Sequence, residues 1–272
     1  MWVVHVQDLH YGCVLMVKRV LALADLHVGS TVGLFMPNYT NPDTHVTYEL
    51  NDVQNYLFEQ WCKMVEMVGP VDVLILNGDI VDGTDPVEGG TGVVTTCLHT
   101  QSVVAATLIN MIQAKEIIVT EGSAFHTGKR HGNISGDRMV CDLVDGRYIG
   151  IWDTITIDDI KLNIRHVDKW SENIQGRVGA QQKEAEKMRV QETTADIYIR
   201  SHTHKFNFSG NPNDITIGTP CFKGIDEFIG KKSQVMPDNG WIVIDIEGAD
   251  YNWKYNIFKI PFQLYKKGLI KL

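Results

Sequence analysis

Four predicted strands in this chain each stop on a side chain that can bind a metal. The run from Val14 ends at Asp25-Leu26-His27, and the run from Val71 to Leu76 ends at Asn77-Gly78-Asp79. The run from Ile160 to Arg165 ends at His166, and the run from Asp196 to Arg200 stops at Ser201-His202-Thr203-His204. The first two are apolar and β-rich enough to read as buried strands. Strand ends in open sheets are where loops assemble sites. A fold for this chain must therefore bring several strand ends to one place.

Between these runs the pattern turns helical. Leu50, Val53, Leu57, Trp61, Met64 and Val68 recur at helical spacing within Val46–Val68, which Gly69-Pro70 closes. Further helices are expected at about Thr96–Ala114, at Ser135–Val144 and over the polar stretch Ile174–Thr193. A strand from Glu116 to Thr120 ends at Glu121-Gly122-Ser123. Tyr148–Ile157 and Ile160–Arg165 read as a hairpin about Asp158-Asp159. Ile215–Ile217, Trp241–Ile246 and Tyr251–Ile260 complete a strand-rich end. Loops are expected over Gly29–Asp43 and over the acidic, glycine-rich Asp82–Gly92. This alternation predicts an α/β fold, a mixed sheet sandwich with outer helices, in a single domain over 1–272.

Composition narrows the function classes. The formal net charge is −8, so the broad basic footprint of a protein that coats nucleic acid is absent. Five cysteines, an odd number with no CxxC pair, speak against a disulfide framework or a thiolate zinc site. No run reaches the ~18 apolar residues of a membrane span, and the start lacks a secretory pattern. The expectation is a soluble cytoplasmic protein with no membrane partner. Its oligomeric state is open.

Asp25-x-His27 and His202-x-His204 have i, i+2 spacing, which in extended chain puts both side chains on one face. Imidazole with carboxylate suits Zn, Mn, Fe or Ni, and suits Mg less well. Asp25, His27, Asp79, His166, His202 and His204 are more ligands than one tetrahedral ion needs. They suit two divalent ions sharing one carboxylate, the arrangement used for phosphate chemistry. Each block alone reads as readily as an ordinary strand-end cap or turn, so the joint order is what carries weight.

In that order the blocks resemble the calcineurin-like metallophosphoesterase superfamily, whose marks are Asp-x-His, Gly-Asp, Gly-Asn-His, a lone His and Gly-His-x-His. The matching residues are Asp25-Leu26-His27, Gly78-Asp79, Arg165-His166 and Ser201-His202-Thr203-His204. The likeness runs over about 17–222, with 223–272 as a strand-rich completion. Asp25-Leu-His-Val-Gly-Ser and Thr219-Pro220 are similar to the phage and prophage branch. The resemblance implies a four-layer α-β-β-α sandwich of two mixed sheets with outer helices. It implies that Asp25, His27 and His204 hold one ion, His166 and His202 the other, and that Asp79 bridges them. Two divalent ions, Mn first among Zn, Fe, Ni and Mg, would draw hydroxide from a shared water to attack a phosphomonoester or phosphodiester. The substrate could be a small molecule or a nucleic acid.

The third block departs from the family. Glu121-Gly122-Ser123-Ala124-Phe125-His126 stands where Gly-Asn-His is expected. His126 is the expected catalytic residue, reaching the phosphate from a longer turn. Ser123 would be a weak ligand or give way to water, and Glu121 is a substitute ligand. Ser123 and Arg130, with Arg177 behind them, are expected on the substrate side. Asp8-Leu9-His10 repeats the first block, but too few residues follow it for the loop and helix that Asp25 has. It is read as a surface turn. The Lys-rich end, Lys254 to Lys271, is read as a solvated face. The altered block also motivates two other readings, a non-catalytic binding scaffold of the same fold and a single-metal site.

Overall fold

The computed structural model describes residues 16–41, 45–84, 89–126, 135–166, 194–225 and 236–266, together with 183, 186–188 and 190. Two sheets lie face to face. The first contains β1 (Lys18–Leu23), β4 (Val71–Asn77), β5 (Ala114–Thr120), β6 (Arg147–Tyr148), β12 (Asn239–Glu247) and β13 (Asp250–Phe258), in the order β13-β12-β1-β4-β5-β6. The second contains β7 (Trp152–Ile157), β8 (Ile160–His166), β9 (Ile197–Ser201), β10 (Asn207–Gly210) and β11 (Ile215–Gly218), in the order β10-β11-β9-β8-β7. A small ribbon pairs β2 (Tyr39–Thr40) with β3 (Thr47–Tyr48). The helices described over their whole length are α1 (Asp52–Val68), α2 (Leu98–Ile109), α3 (Gly136–Leu143) and α4 (Phe262–Lys266).

Strand alternation builds both cores. In β1, Val20 and Ala22 face the second sheet and share a core with its Ile160, Leu162, Ile164, Ile199 and Ile217. Leu21 and Leu23 face the other way, into a core with Leu57, Trp61 and Met64 of α1 and Val104 and Leu108 of α2. A third, smaller cluster packs Met188 against Ala195 and Tyr198. The result is the expected α/β sandwich of two mixed sheets with helices outside.

β1, β4 and β5 run parallel, and so do β8, β9 and β11. Their carboxyl ends open at the same side of the sandwich. That is what gathers Asp25, Asp79, Ser123, His166 and His202.

Local chemistry adjusts the expected boundaries. The helix read from Val46 begins at Asp52, because Asn51 caps it. Asn51 Oδ1 accepts from Gln54 N at 3.0 Å, and Gln54 Oε1 accepts from Asn51 N at 3.3 Å. The stretch read as one strand, Tyr148–Ile157, divides around Gly150, whose φ is 73°. Arg147–Tyr148 stays in the first sheet and Trp152–Ile157 crosses to the second. The helix expected over 174–193 lies outside the described residues save 183, 186–188 and 190, which are helical. Asp8, His10, Arg130 and Arg177 also lie outside them. No helix among the described residues is long and apolar enough to cross a membrane.

Candidate metal centre

The backbone is unusual where the candidate ligands sit. Asp25, His27, Asp79, His202 and His204 have φ of 52°, 47°, 49°, 85° and 53°. Non-glycine residues seldom adopt that left-handed region, and such outliers gather at functional sites. Here the surrounding bonds hold them. Asp25 N donates to Gly78 O at 3.0 Å, His27 N to Asp79 O at 3.1 Å, and Phe222 N to Asp25 O at 3.0 Å. The two glycines of these turns are required by close approach. A Cβ at Gly78 would stand 2.7 Å from His166 Nδ1, and one at Gly122 would stand 2.2 Å from Asp79 Oδ1.

Three overlapping groups result, in each of which the ligand atoms lie within 4.8 Å of one another: Asp25, His27 and His204; His27, Asp79 and His126; Asp79, His166 and His202. His27 Nε2 and His204 Nε2 are 3.0 Å apart, and both face Asp25 Oδ1, at 3.9 Å and 3.4 Å. On the other side His166 Nε2 is 3.2 Å from His202 Nδ1 and 3.1 Å from Asp79 Oδ2, with His202 Nδ1 at 3.8 Å from the same oxygen. A tetrahedral cation with 2.0–2.1 Å bonds has ligand edges of about 3.3 Å. The two triads have that spacing. Asp25 Oδ1 is buried with no hydrogen-bond partner. A buried carboxylate oxygen left in this way is costly without a cation. The donor set therefore fits divalent metal.

Second contacts orient these ligands. His27 Nδ1 donates to Asp82 Oδ1 at 2.8 Å, and His166 Nδ1 to Asn77 O at 2.8 Å. Both rings thus turn Nε2 inward. Asp79 Oδ1 accepts from Ser123 N at 2.7 Å, and Ser123 Oγ lies 3.1 Å from each Asp79 oxygen. His126 Nδ1 donates to Asp82 O at 2.7 Å, which leaves its Nε2 for the centre. Asp25, His27, Asp79 and His166 are enclosed, whereas the side chains of His126 and His202 are 17% and 18% exposed and form the open rim.

Charge follows geometry. Burial, reinforced by the nearby Lys223 ammonium, lowers the His27 pKa to about 3. Burial would also lower that of His166, but the Asp79 carboxylate outweighs it and raises the value to about 10. Burial opposes ionisation of Asp79 in turn, yet His166 pulls it well below the usual carboxylate range.

The structure thus brings together all six expected ligands and His126. Ser123 is committed to Asp79. Glu121 points elsewhere, accepting from Tyr148 OH at 2.5 Å. Sequence reasoning misses three residues. It reads Asp82 only as part of an acidic loop, yet Asp82 is buried against His27. Lys223 is buried beside it, 3.1 Å from Asp82 Oδ1. Asp137, on the first turn of α3, accepts from Asp79 N at 3.2 Å, Ile80 N at 2.9 Å and Gly122 N at 2.8 Å. Its pKa is raised to about 7 by burial and then by the charge of Asp79. The second acid of Asn-Gly-Asp-Ile-Val-Asp is the one available signal, since it lies three residues past a candidate ligand.

No protein-family model matches the chain, and no curated protein matches it. Several solved structures are similar. An archaeal phosphodiesterase shares 15% identity, with 88% of this chain and 100% of that one covered, at a TM-score of 0.46. Vps29 from Entamoeba histolytica, complexed with zinc, shares 12%, covering 89% and 99%, at 0.43. A predicted phosphoesterase from Streptococcus pneumoniae shares 10%, covering 91% and 95%, at 0.42. Likeness at this identity and TM-score does not fix an activity, and the metal-shaped cluster at the strand ends stands apart from it.

Proposed function

We propose that the chain is a dinuclear metal-dependent phosphoesterase of the calcineurin-like kind, acting on a phosphomonoester or phosphodiester. The observation that carries the proposal is the pair of ligand triads, Asp25 with His27 and His204 and Asp79 with His166 and His202, linked by the group of His27, Asp79 and His126. Asp25, His27 and His204 would hold one cation, His166 and His202 the other, and Asp79 both. Bound there, divalent cations would polarise a phosphoryl group and make a water acidic enough to serve at neutral pH.

The chain's own residues then have defined tasks. Asp79 is fixed by the Ser123 N–H and hydroxyl, grouped with His27 on one side and with His166 and His202 on the other. Its negative charge would offset the repulsion between two bound dications. His27 and His166 are locked through Nδ1. His126 stands at the open rim with Nδ1 committed as a donor to Asp82 O. As imidazolium its Nε2–H would donate to a phosphoryl oxygen and pass a proton to the leaving oxygen, a contribution of roughly 10²–10⁴-fold. The partly exposed His202 and His126 leave room for a substrate on that side. The Mn preference and the narrower kinship with the phage and prophage branch rest on donor chemistry and motif wording.

The test is a screen of Mn-loaded protein against aryl phosphate mono- and diesters, with Asp79→Asn as control. Hydrolysis by wild type alone supports the proposal, and equal rates in both proteins contradict it. A nuclease would lose affinity steeply with salt, unlike an enzyme for small esters. The scaffold reading draws on one observation, the Ser123 hydroxyl turned onto Asp79 instead of toward the open side. It predicts a stable protein with no turnover on any ester.

A further inference from the structure

Lys223 is 3% exposed, so a substrate on the open rim does not reach it. Its ammonium nevertheless lies next to the candidate metal centre, 3.1 Å from Asp82 Oδ1. That same oxygen accepts the Nδ1–H of His27 at 2.8 Å. One carboxylate oxygen is thus shared between a ligand imidazole and a buried ammonium. Lys223 follows the Thr219-Pro220 turn, and its segment is stitched to the first strand's loop. Phe222 N donates to Asp25 O at 3.0 Å and Gly224 N to Val32 O at 2.7 Å, with Lys223 bridged to Gly33 between them.

We propose that Lys223 is a positioning residue for the metal centre: by fixing Asp82, it holds the His27 ring with Nε2 facing the cation. The inference rests on the metal-centre reading. An imidazole can flip by a half-turn about its outer bond, which would put a carbon where the ligand nitrogen belongs. The Asp82 carboxylate prevents this only while it stays aimed at Nδ1. Without a countercharge, a buried carboxylate is unfavourable beside a neutral ring and turns toward another donor or toward water. Lys223 removes that pressure. Asp82 also accepts His126 Nδ1 on its backbone carbonyl, so movement of Asp82 would disturb a second ring.

The experiment uses the full chain as wild type, Lys223→Met, Asp82→Asn and the double variant. Mn²⁺ affinity is read by competition with a chelator, fold by thermal unfolding without metal, and the His27 ring by ¹H–¹⁵N correlation in metal-free protein. Wild type should show His27 protonated on Nδ1 alone. Lys223→Met should mix the ring's forms and lose about 10–100-fold in affinity for one of the two ions. The double variant should lose no more than the worse single change, because both act through one path. A Lys223→Met protein with a lower melting temperature but wild-type affinity and a wild-type His27 signal would overturn the inference. If that variant does not fold, Lys223→Gln decides by the same ring signal, compared with Asp82→Asn: mixed forms like those of Asp82→Asn support, and the wild-type signal overturns. Wild-type protein that binds no cation would overturn the metal-centre reading itself, a different result from wild type and Lys223→Met binding two ions equally well.

Discussion

His27 and His204 oppose their Nε2 atoms across 3.0 Å, although 177 residues separate them in the chain. Two neutral imidazoles would repel in this arrangement if both lone pairs pointed inward. A cation held by both rings and Asp25 would relieve the repulsion. On the other side of Asp79, His166 Nε2 and His202 Nδ1 lie 3.2 Å apart.

Asp79 is the point at which the two halves meet, so its loss should cost both. Asp79→Asn should reduce cation binding at both triads and lower hydrolysis by more than ~100-fold, beyond the 10–100-fold typical of an outer-shell change. Metal content after gel filtration, together with turnover on an aryl phosphate diester, checks this. A variant that retains two ions and wild-type turnover would remove Asp79 from the centre.

Metal loading should release protons. In the metal-free protein His166 has its pKa raised to about 10, so it is protonated at pH 7 and must give up that proton to a cation. Binding at its triad should strengthen about tenfold per pH unit between about pH 6.5 and 8.5. His27, lowered to about 3, is already neutral and adds no such slope. The signs for folding are opposite. The stability contributed by protonated His166 is fully present below its unfolded value of about 6.5 and is lost as pH rises toward 10. That from His27 is present above about 6.5 and is lost as pH falls toward 3. Calorimetric titration with Mn²⁺ in buffers of different ionisation enthalpy measures the release. An absence of net release would contradict this account of His166.

Ser123 gives Asp79 a backbone bond that any residue supplies and a hydroxyl that alanine lacks. Ser123→Ala should weaken cation binding by about 1.5–3 kcal/mol, the worth of a hydrogen bond to a charged group, with the backbone bond intact. The expected reading is a roughly tenfold or greater rise in the Mn²⁺ dissociation constant, with little change in α3 or the sheets by circular dichroism. Unchanged affinity would mean that the hydroxyl is incidental.

Asp137 ties the turn after β4 to the turn after β5. Asp137→Ala would leave three N–H groups unpaired, two of them fully buried. At about 1–3 kcal/mol each, that should lower the melting temperature by many degrees. Asp137→Asn, which keeps one acceptor oxygen, should cost less. Because the wild-type pKa is raised to about 7, metal-free stability from this group is present below about 3.8 and is lost as pH rises through 7. The Asn variant should flatten that part of the stability profile. A profile identical to wild type would place the pH dependence elsewhere.

Much of the site is legible in the chain alone. The strands that end on Asp25, Asp79, His166 and His202 are read from β-rich runs, and their order carries the candidate ligand set. Strand β10, Asn207–Gly210, leaves no such run, because its four residues include only one large apolar side chain, Phe208. Asp82, Lys223 and Asp137 escape for a different reason. Each sits in a segment whose composition reads as loop or helix cap, and each acquires its role only when a distant partner arrives: His27 for Asp82, Asp82 for Lys223, and the Gly122 and Asp79 turns for Asp137. Spacing along the chain records which residues share a face. It does not record which buried charge will meet another across 141 residues, as Lys223 meets Asp82.

Whether two cations share Asp79 decides the rest. Anomalous diffraction at the manganese edge, from crystals grown with Mn²⁺, addresses it directly. Two peaks are expected about 3.5–4 Å apart, one against Asp25, His27 and His204, the other against His166 and His202, with Asp79 touching both. A single peak away from Asp79, or no peak at saturating Mn²⁺, would contradict the shared carboxylate.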